Sequence, residues 1–358
     1  MSHWVIAISL FAPTVVLSAF LVWRSIPIGR QLGIVDNPTD RGTRTRPTPR
    51  MGGVPVLMAF LVGVTGSFSL EVVRFPGELE RLALLGTGGV LITLFMLVDD
   101  HAGINARTKL VIQIAIAALM VLPRLRGPLH GISIDQFNLP LAGQVSIPVA
   151  VAVPVTILWF VGMMNTVNWA DGIDGLAGSL TLVAAIVLFL HTFFWPRGNP
   201  QFTISILPLV LAAALIGFLP FNWHPSQIML GDSGSNMLGL LIAGIAIIGG
   251  AKLATALLVL GLPLLDAMYV AGKRFLTGTP VAQADMSHLH HRLLRRGWTQ
   301  SQVVMVISGI SLGFGLMALI LPNREAKLMA LAVLAGLLLF TVGQMRSDLR
   351  LLRGRNPL

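Results

Sequence analysis

Apolar runs long enough to cross a bilayer recur from one end of this chain to the other, and they leave one class of fold open. About eleven can be traced, near residues 4–23, 51–70, 82–98, 108–123, 147–166, 176–195, 202–220, 235–250, 253–271, 303–321 and 327–345. In hydrocarbon every backbone polar group must be satisfied within the protein, so runs of this length read as helices. The expected fold is all-α: one polytopic domain over 1–358 with about eleven transmembrane helices. Charged residues make up only 11% of the 358, about half the share of a soluble domain. Met1-Ser-His-Trp4 lacks the basic region of a cleavable signal, so the first run reads as a retained helix. There is no cysteine, which excludes disulfides, thiolate metal sites and cysteine nucleophiles.

The net charge of +10 reads as topology and lipid contact, with no nucleic acid expected. Connections that follow odd-numbered runs carry 17 of the 25 lysines and arginines, which makes theirs the cytoplasmic face and puts the N-terminus outside and the C-terminus inside. The polar clusters collect on the same face. Glu71, Glu78, Glu80, Asp135 and Glu325 fall on the other without comparable clustering. One catalytic face, the cytoplasmic one, is the simplest reading.

The densest cluster is Asn165-Thr-Val-Asn168-Trp-Ala-Asp171-Gly-Ile-Asp174-Gly175. A polar turn between membrane helices needs one or two such residues, not this many. Their oxygens are hard donors suited to magnesium and nucleotide hydroxyls, and the glycines allow close backbone approach. Asp99-Asp100-His101 closes the third run, followed by Arg107 and Lys109. Adjacent carboxylates repel, which makes one a candidate general base, and Lys109 could neutralise the pair or hold a phosphate. Gly231-Asp232-Ser-Gly234-Ser235, after Asn222, opens the eighth run as a magnesium and phosphate corner; the serine-hydrolase elbow is not matched. Asp36, Arg41, Arg44, Arg46 and Arg50 precede Gly52-Gly53 and suit a diphosphate, or else merely set topology. His288-Leu-His290-His291-Arg292 could form a cationic cradle for phosphate, a zinc site or plain interfacial polarity, with Leu293, Leu294 and Trp298 marking a short interfacial helix.

Taken as a set, the Asp-Asp pair, Asn-x-x-Asn-x-x-Asp-Gly-x-Asp-Gly and Gly-Asp-x-Gly-Ser resemble the polyprenyl-phosphate N-acetylhexosamine-1-phosphate transferase superfamily. The resemblance runs from Asp36 to about Trp298, and His-Leu-His-His-Arg resembles the bacterial undecaprenyl-phosphate N-acetylglucosaminyl-1-phosphate transferase branch. It implies transfer of a hexosamine-1-phosphate from a UDP-N-acetylhexosamine to undecaprenyl phosphate with release of UMP, at the bacterial cytoplasmic membrane. It also implies Mg2+ (or Mn2+) held by Asp232 and Asn168, Asp99 as base with Asp100 beside it, and His290 among the catalytic groups. Asp174 would read uracil. Asp36, Arg41, Arg50, Lys109, Asn165, Asp171, Asn222, His288, His291 and Arg292 would bind substrate, and the protein would form a homodimer among membrane lipids. Two positions depart from many relatives: Gly42-Thr43-Arg44 replaces a Lys-x-His, and Met229 stands where an aromatic is common. The alternative from another class is a secondary transporter using membrane-edge carboxylates, although only Asp266 lies deep in a run.

Overall fold

The protein is seen as a computed structural model that describes residues 2–36, 47–139, 143–194, 202–250, 253–277 and 288–321, with scattered positions from 326 to 336. The helices are α1 (His3–Gln31), α2 (Gly53–Gly66), α3 (Glu78–Ala102), α4 (Ala106–Val121), α5 (Val149–Ala170) and α6 (Leu176–Phe194). They continue with α7 (Phe202–Asn222), α8 (Gly231–Ile248), α9 (Leu253–Val259), α10 (Gly261–Thr277), α11 (Leu289–Arg295) and α12 (Gln300–Ile320). Two small antiparallel hairpins pair β1 (Val35–Asp36) with β2 (Thr48–Pro49), and β3 (Gln136–Leu139) with β4 (Gly143–Ser146). The all-α membrane fold is as expected: eight helices are long and apolar enough to cross a bilayer among the described residues, nine if α9 and α10 count as one span.

Ten of the eleven apolar runs are helical, and the eleventh lies mostly outside the described residues. Two runs depart from a simple span. The second forms a short α2 of 14 residues closed by a 3-10 turn. The run at 253–271 is not one helix but is bent by 73° between α9 and α10. Gly261 and Pro263 sit at that break, where the weak helix former and the missing proline N–H interrupt the ladder.

Helix α8 is the axis of the bundle: it packs along α3 and α5, and 17 of its 18 residues are buried. Small residues make that enclosure feasible. A side chain at Gly239 would meet the Met163 carbonyl at 2.5 Å, and one at Gly244 would meet Leu85 at 2.5 Å, so neighbouring helices approach the α8 backbone directly. Peripheral helices keep apolar side chains outward, such as Val16, Leu158 and Ile320, as lipid contact requires. Side-chain caps set several starts: Asn105 accepts from Thr108 N at 2.9 Å at α4, and Thr299 with Gln302 forms a capping box at α12. These starts and the C-terminal end of α3 frame one end of the bundle.

Candidate active site

Three carboxylates from two distant parts of the chain meet at that end. Asp99 and Asp100 occupy the last turn of α3, which Gly103 terminates at φ +72°. Asp232 lies in the first turn of α8. Lys109, one turn into α4, donates to Asp99 Oδ2 at 2.5 Å and to Asp232 Oδ2 at 2.6 Å. Asp99 Oδ1 accepts from Ile104 N at 2.6 Å, so the short link between α3 and α4 holds the carboxylate in place.

Asp100 does a different job. Its two oxygens accept from Asp232 N at 2.8 Å and Ser233 N at 2.9 Å, so a carboxylate on α3 caps the N-terminus of α8. This arrangement explains Gly231: its φ is +76°, and a Cβ there would stand 2.7 Å from Asp100 Oδ2. Arg50, just before α2, completes the cluster, with nitrogens 3.5 Å from Asp100, 3.7 Å from Asp232 and 3.9 Å from Asp36. Burial opposes its charge, but Asp100, Asp232, Asp36 and Asp171 more than offset that and hold the guanidinium above its ordinary range. Asp171, at the end of α5, thereby joins the same electrostatic unit.

A line of amides supports the acids from below. Asn165 Nδ2 donates to Gln113 Oε1 at 2.8 Å, Gln113 Nε2 to Asn236 Oδ1 at 2.7 Å, and Asn236 Nδ2 to the Asp232 carbonyl at 2.9 Å. Asn168 Nδ2 donates to Ser235 Oγ at 2.9 Å. Ser235 is three residues from Asp232 on α8, which places Asn168 beside the same helix surface. Sequence reasoning missed Gln113 and Asn236. The signal was present for Gln113, the lone amide within the fourth apolar run.

Other sequence-picked residues take up bracing positions. Asp174 is buried, and its Oδ2 lies 2.9 Å from His224 Nδ1 and 3.3 Å from Ser226 N. Asn222 is buried with its amide spanning backbone groups, accepting from Gly175 N at 3.2 Å and donating to the Ile228 carbonyl at 2.9 Å. Together they tie the Asn165–Gly175 stretch to the loop before α8. Met229 is held through its backbone, which donates to the Pro49 carbonyl at 2.7 Å and accepts from Gly52 N at 2.9 Å. Arg41, with Gly42, Arg44 and Arg46, lies outside the described residues.

The histidine motif forms the opening of α11, the short helix expected there. His288 and His290 stack with centroids 5.7 Å apart, and His288 lies 6.1 Å from the Trp169 ring. His290 is buried, with His291 next to it at 4.3 Å. Its Nε2 rests against Gly172, where any side chain would collide with the ring. Burial first, and then His291 and His288, hold the His290 imidazole well below its ordinary range, so it is neutral. No group of three or more metal-binding side chains involves these histidines among the described residues. The motif therefore seats on the Asn165–Gly175 stretch. Arg292 lies 5.4 Å over the Tyr269 ring of α10.

Residues 82–250, which contain both aspartate corners and the asparagine stretch, match the family described as Glycosyl transferase family 4. A probable undecaprenyl-phosphate N-acetylglucosaminyl 1-phosphate transferase of Bacillus subtilis is 30% identical over 83% of this chain and 79% of its own length. A decaprenyl-phosphate N-acetylglucosaminephosphotransferase of Mycobacterium tuberculosis is 31% identical over 78% and 74%. A phospho-N-acetylmuramoyl-pentapeptide-transferase of Staphylococcus aureus is 29% identical over 76% and 84%.

Proposed function

We propose a donor, an acceptor and a division of labour for this chain, which belongs to the family of membrane-bound polyprenyl-phosphate N-acetylhexosamine-1-phosphate transferases. The donor is UDP-N-acetylglucosamine or a related UDP-N-acetylhexosamine, and the acceptor is undecaprenyl phosphate. The products are a lipid-linked sugar diphosphate and UMP, the first intermediate of a cell-surface glycan. The reaction takes place on the cytoplasmic face of the bacterial inner membrane. The relatives named for N-acetylglucosamine favour this donor, and the distribution of basic residues favours this face.

The observation that carries the reading is the meeting of Asp99, Asp100 and Asp232 on Lys109 and Arg50. In-line phosphoryl transfer asks for alignment and charge neutralisation more than for covalent chemistry. Asp99 takes the remaining proton of the lipid phosphate, whose oxygen then bonds to the sugar-bearing phosphorus. The bond from that phosphorus to the bridging oxygen breaks, and its electron pair leaves with UMP. Direct attack needs no phospho-aspartyl intermediate. Lys109 and Arg50 neutralise phosphate charge, and Asp100 keeps the α8 N-terminus and Asp232 in register with Asp99.

The donor set fits a hard divalent cation. Asp232 and Asn168 flank one surface of α8, and donation of the Asn168 nitrogen to Ser235 leaves its oxygen as the ligating group. Bound there, Mg2+ or Mn2+ would neutralise the donor diphosphate and polarise its oxygens. His288, His291 and Arg292 would face the diphosphate and sugar with the buried His290 behind them, Asp36 and Arg41 would meet the diphosphate, and Asn165, Asp171, Asp174 and Asn222 would shape the nucleotide side. The test is UMP release by the purified protein in detergent. Release that requires UDP-N-acetylglucosamine, undecaprenyl phosphate and Mg2+ together is the expected result. A folded wild type that releases no UMP from any UDP-N-acetylhexosamine would overturn the reading and turn attention to the carboxylates as an ion path.

A further inference from the structure

The acid buried behind the histidine motif has no part in the transfer described above, yet it organises that motif. Asp266 lies in α10 and is 7% exposed. Its Oδ2 is 2.9 Å from His288 Nδ1, and both of its oxygens lie 3.1 Å from Leu289 N. Arg292 Nη2 stands 4.0 Å from its Oδ1. Apart from His290, the rest of the cleft is apolar: Leu262, Pro263, Ile307 and the Trp169 ring line it. A carboxylate in such a setting is costly unless it is hydrogen-bonded, and α11 supplies the bonds.

We propose that Asp266 is a positioning residue for His288 in the transfer reaction, a role that rests on the proposed contact of the histidine motif with the donor diphosphate. A carboxylate accepting from Nδ1 fixes the imidazole tautomer and ring orientation, which leaves Nε2 as the atom that meets a ligand. The same carboxylate accepts the first amide of α11, so ring and helix are set by one group. The Trp169 ring, next to Asn168, lies 6.1 Å from the His288 ring and links this alignment to the asparagine stretch. Asp266 therefore acts through His288 and touches neither substrate nor metal.

The experiment is a double-mutant cycle on the full-length protein in detergent, using Asp266→Asn, His288→Gln and the double variant. Asp266→Asn keeps shape and can still accept from Leu289 N, so α11 stays docked. Each single variant is expected to lower kcat/KM for the UDP-sugar by about 10–100-fold, the usual effect of losing a partner that orients a functional histidine. KM for the lipid phosphate and the midpoint of thermal unfolding are expected to stay unchanged, and the double variant should be no slower than His288→Gln alone. Multiplicative losses in the double variant would show that Asp266 acts independently of His288, and a loss that tracks a lowered unfolding midpoint would show that it serves stability alone; either would overturn the proposal. An inactive wild type would instead overturn the reading on which it rests.

Discussion

The two ends of α3 carry acids in opposite circumstances. At its start, Glu78 bonds Arg74 at 2.8 Å, and Glu80 bonds His130 at 2.7 Å and Arg126 at 3.1 Å. These partners lie 4 to 50 residues away, and each acid has cations of its own. At the end of α3, Asp99 and Asp100 reach partners on α4 and α8, the α8 contacts of Asp100 lying 132 and 133 residues away. There Lys109 is shared between two carboxylates and Arg50 stands among several. Acids whose partners are not shared with other acids fasten a loop to a helix. Shared cations and surplus carboxylates at a junction of helix ends leave charge for a ligand to satisfy, which is how an active site differs from a clasp.

That contrast can be broken most forcefully at Asp99. Asp99→Asn is expected to lower kcat by about a hundred- to ten-thousand-fold, as loss of a general base does, whereas Glu80→Gln should leave turnover at the wild-type level. Comparable losses in both would erase the distinction. Next in size is Gly53→Ala, because a Cβ there collides with the Gly234 backbone where α2 meets α8. Overpacking of this kind costs about 1–3 kcal/mol, read as a lower unfolding midpoint in detergent together with weakened turnover.

Gln113→Leu removes the middle of the amide line and leaves Asn165 and Asn236 without it, a change expected to cost about 1–3 kcal/mol. Thermal unfolding checks this, and a neutral result would mean that the line does not support the acid corner. The smallest effect concerns pH. The His290 imidazole is held below its ordinary value of 6.5 in the folded protein. As pH falls through about 6.5 the unfolded chain gains a proton that the folded one refuses, so stability present above that pH is lost below it. His290→Gln should flatten that slope in unfolding midpoints measured from about pH 7.5 down to about pH 5, and an unchanged slope would assign it to other groups.

Much of this was legible in the residues because membrane length and charge cost leave few choices. Apolar runs gave ten helical segments, and acids at their ends put Asp99, Asp100 and Asp232 on one face, where the structure brings them together around Lys109 and Arg50. The bend between α9 and α10 escaped notice because Gly261 and Pro263 sit inside a run whose hydropathy stays high. Asp100 capping α8 was also hidden, since the cap comes from another helix, and capping signals are read locally. The bonds of Asp174 to His224 and of Asn222 to backbone were hidden too, because they depend on tertiary contacts that spacing does not reveal. The same limit hid the partner of Asp266, His288, which lies 22 residues on.

The most direct test is transfer of labelled N-acetylglucosamine-1-phosphate to undecaprenyl phosphate by wild type, Asp232→Ala and Glu80→Gln, each confirmed as folded and assayed with Mg2+. The expected result is lipid product from wild type and Glu80→Gln, and none above background from Asp232→Ala. Full product from Asp232→Ala would contradict the assignment of phosphoryl transfer to the end of the bundle where α3, α4 and α8 meet.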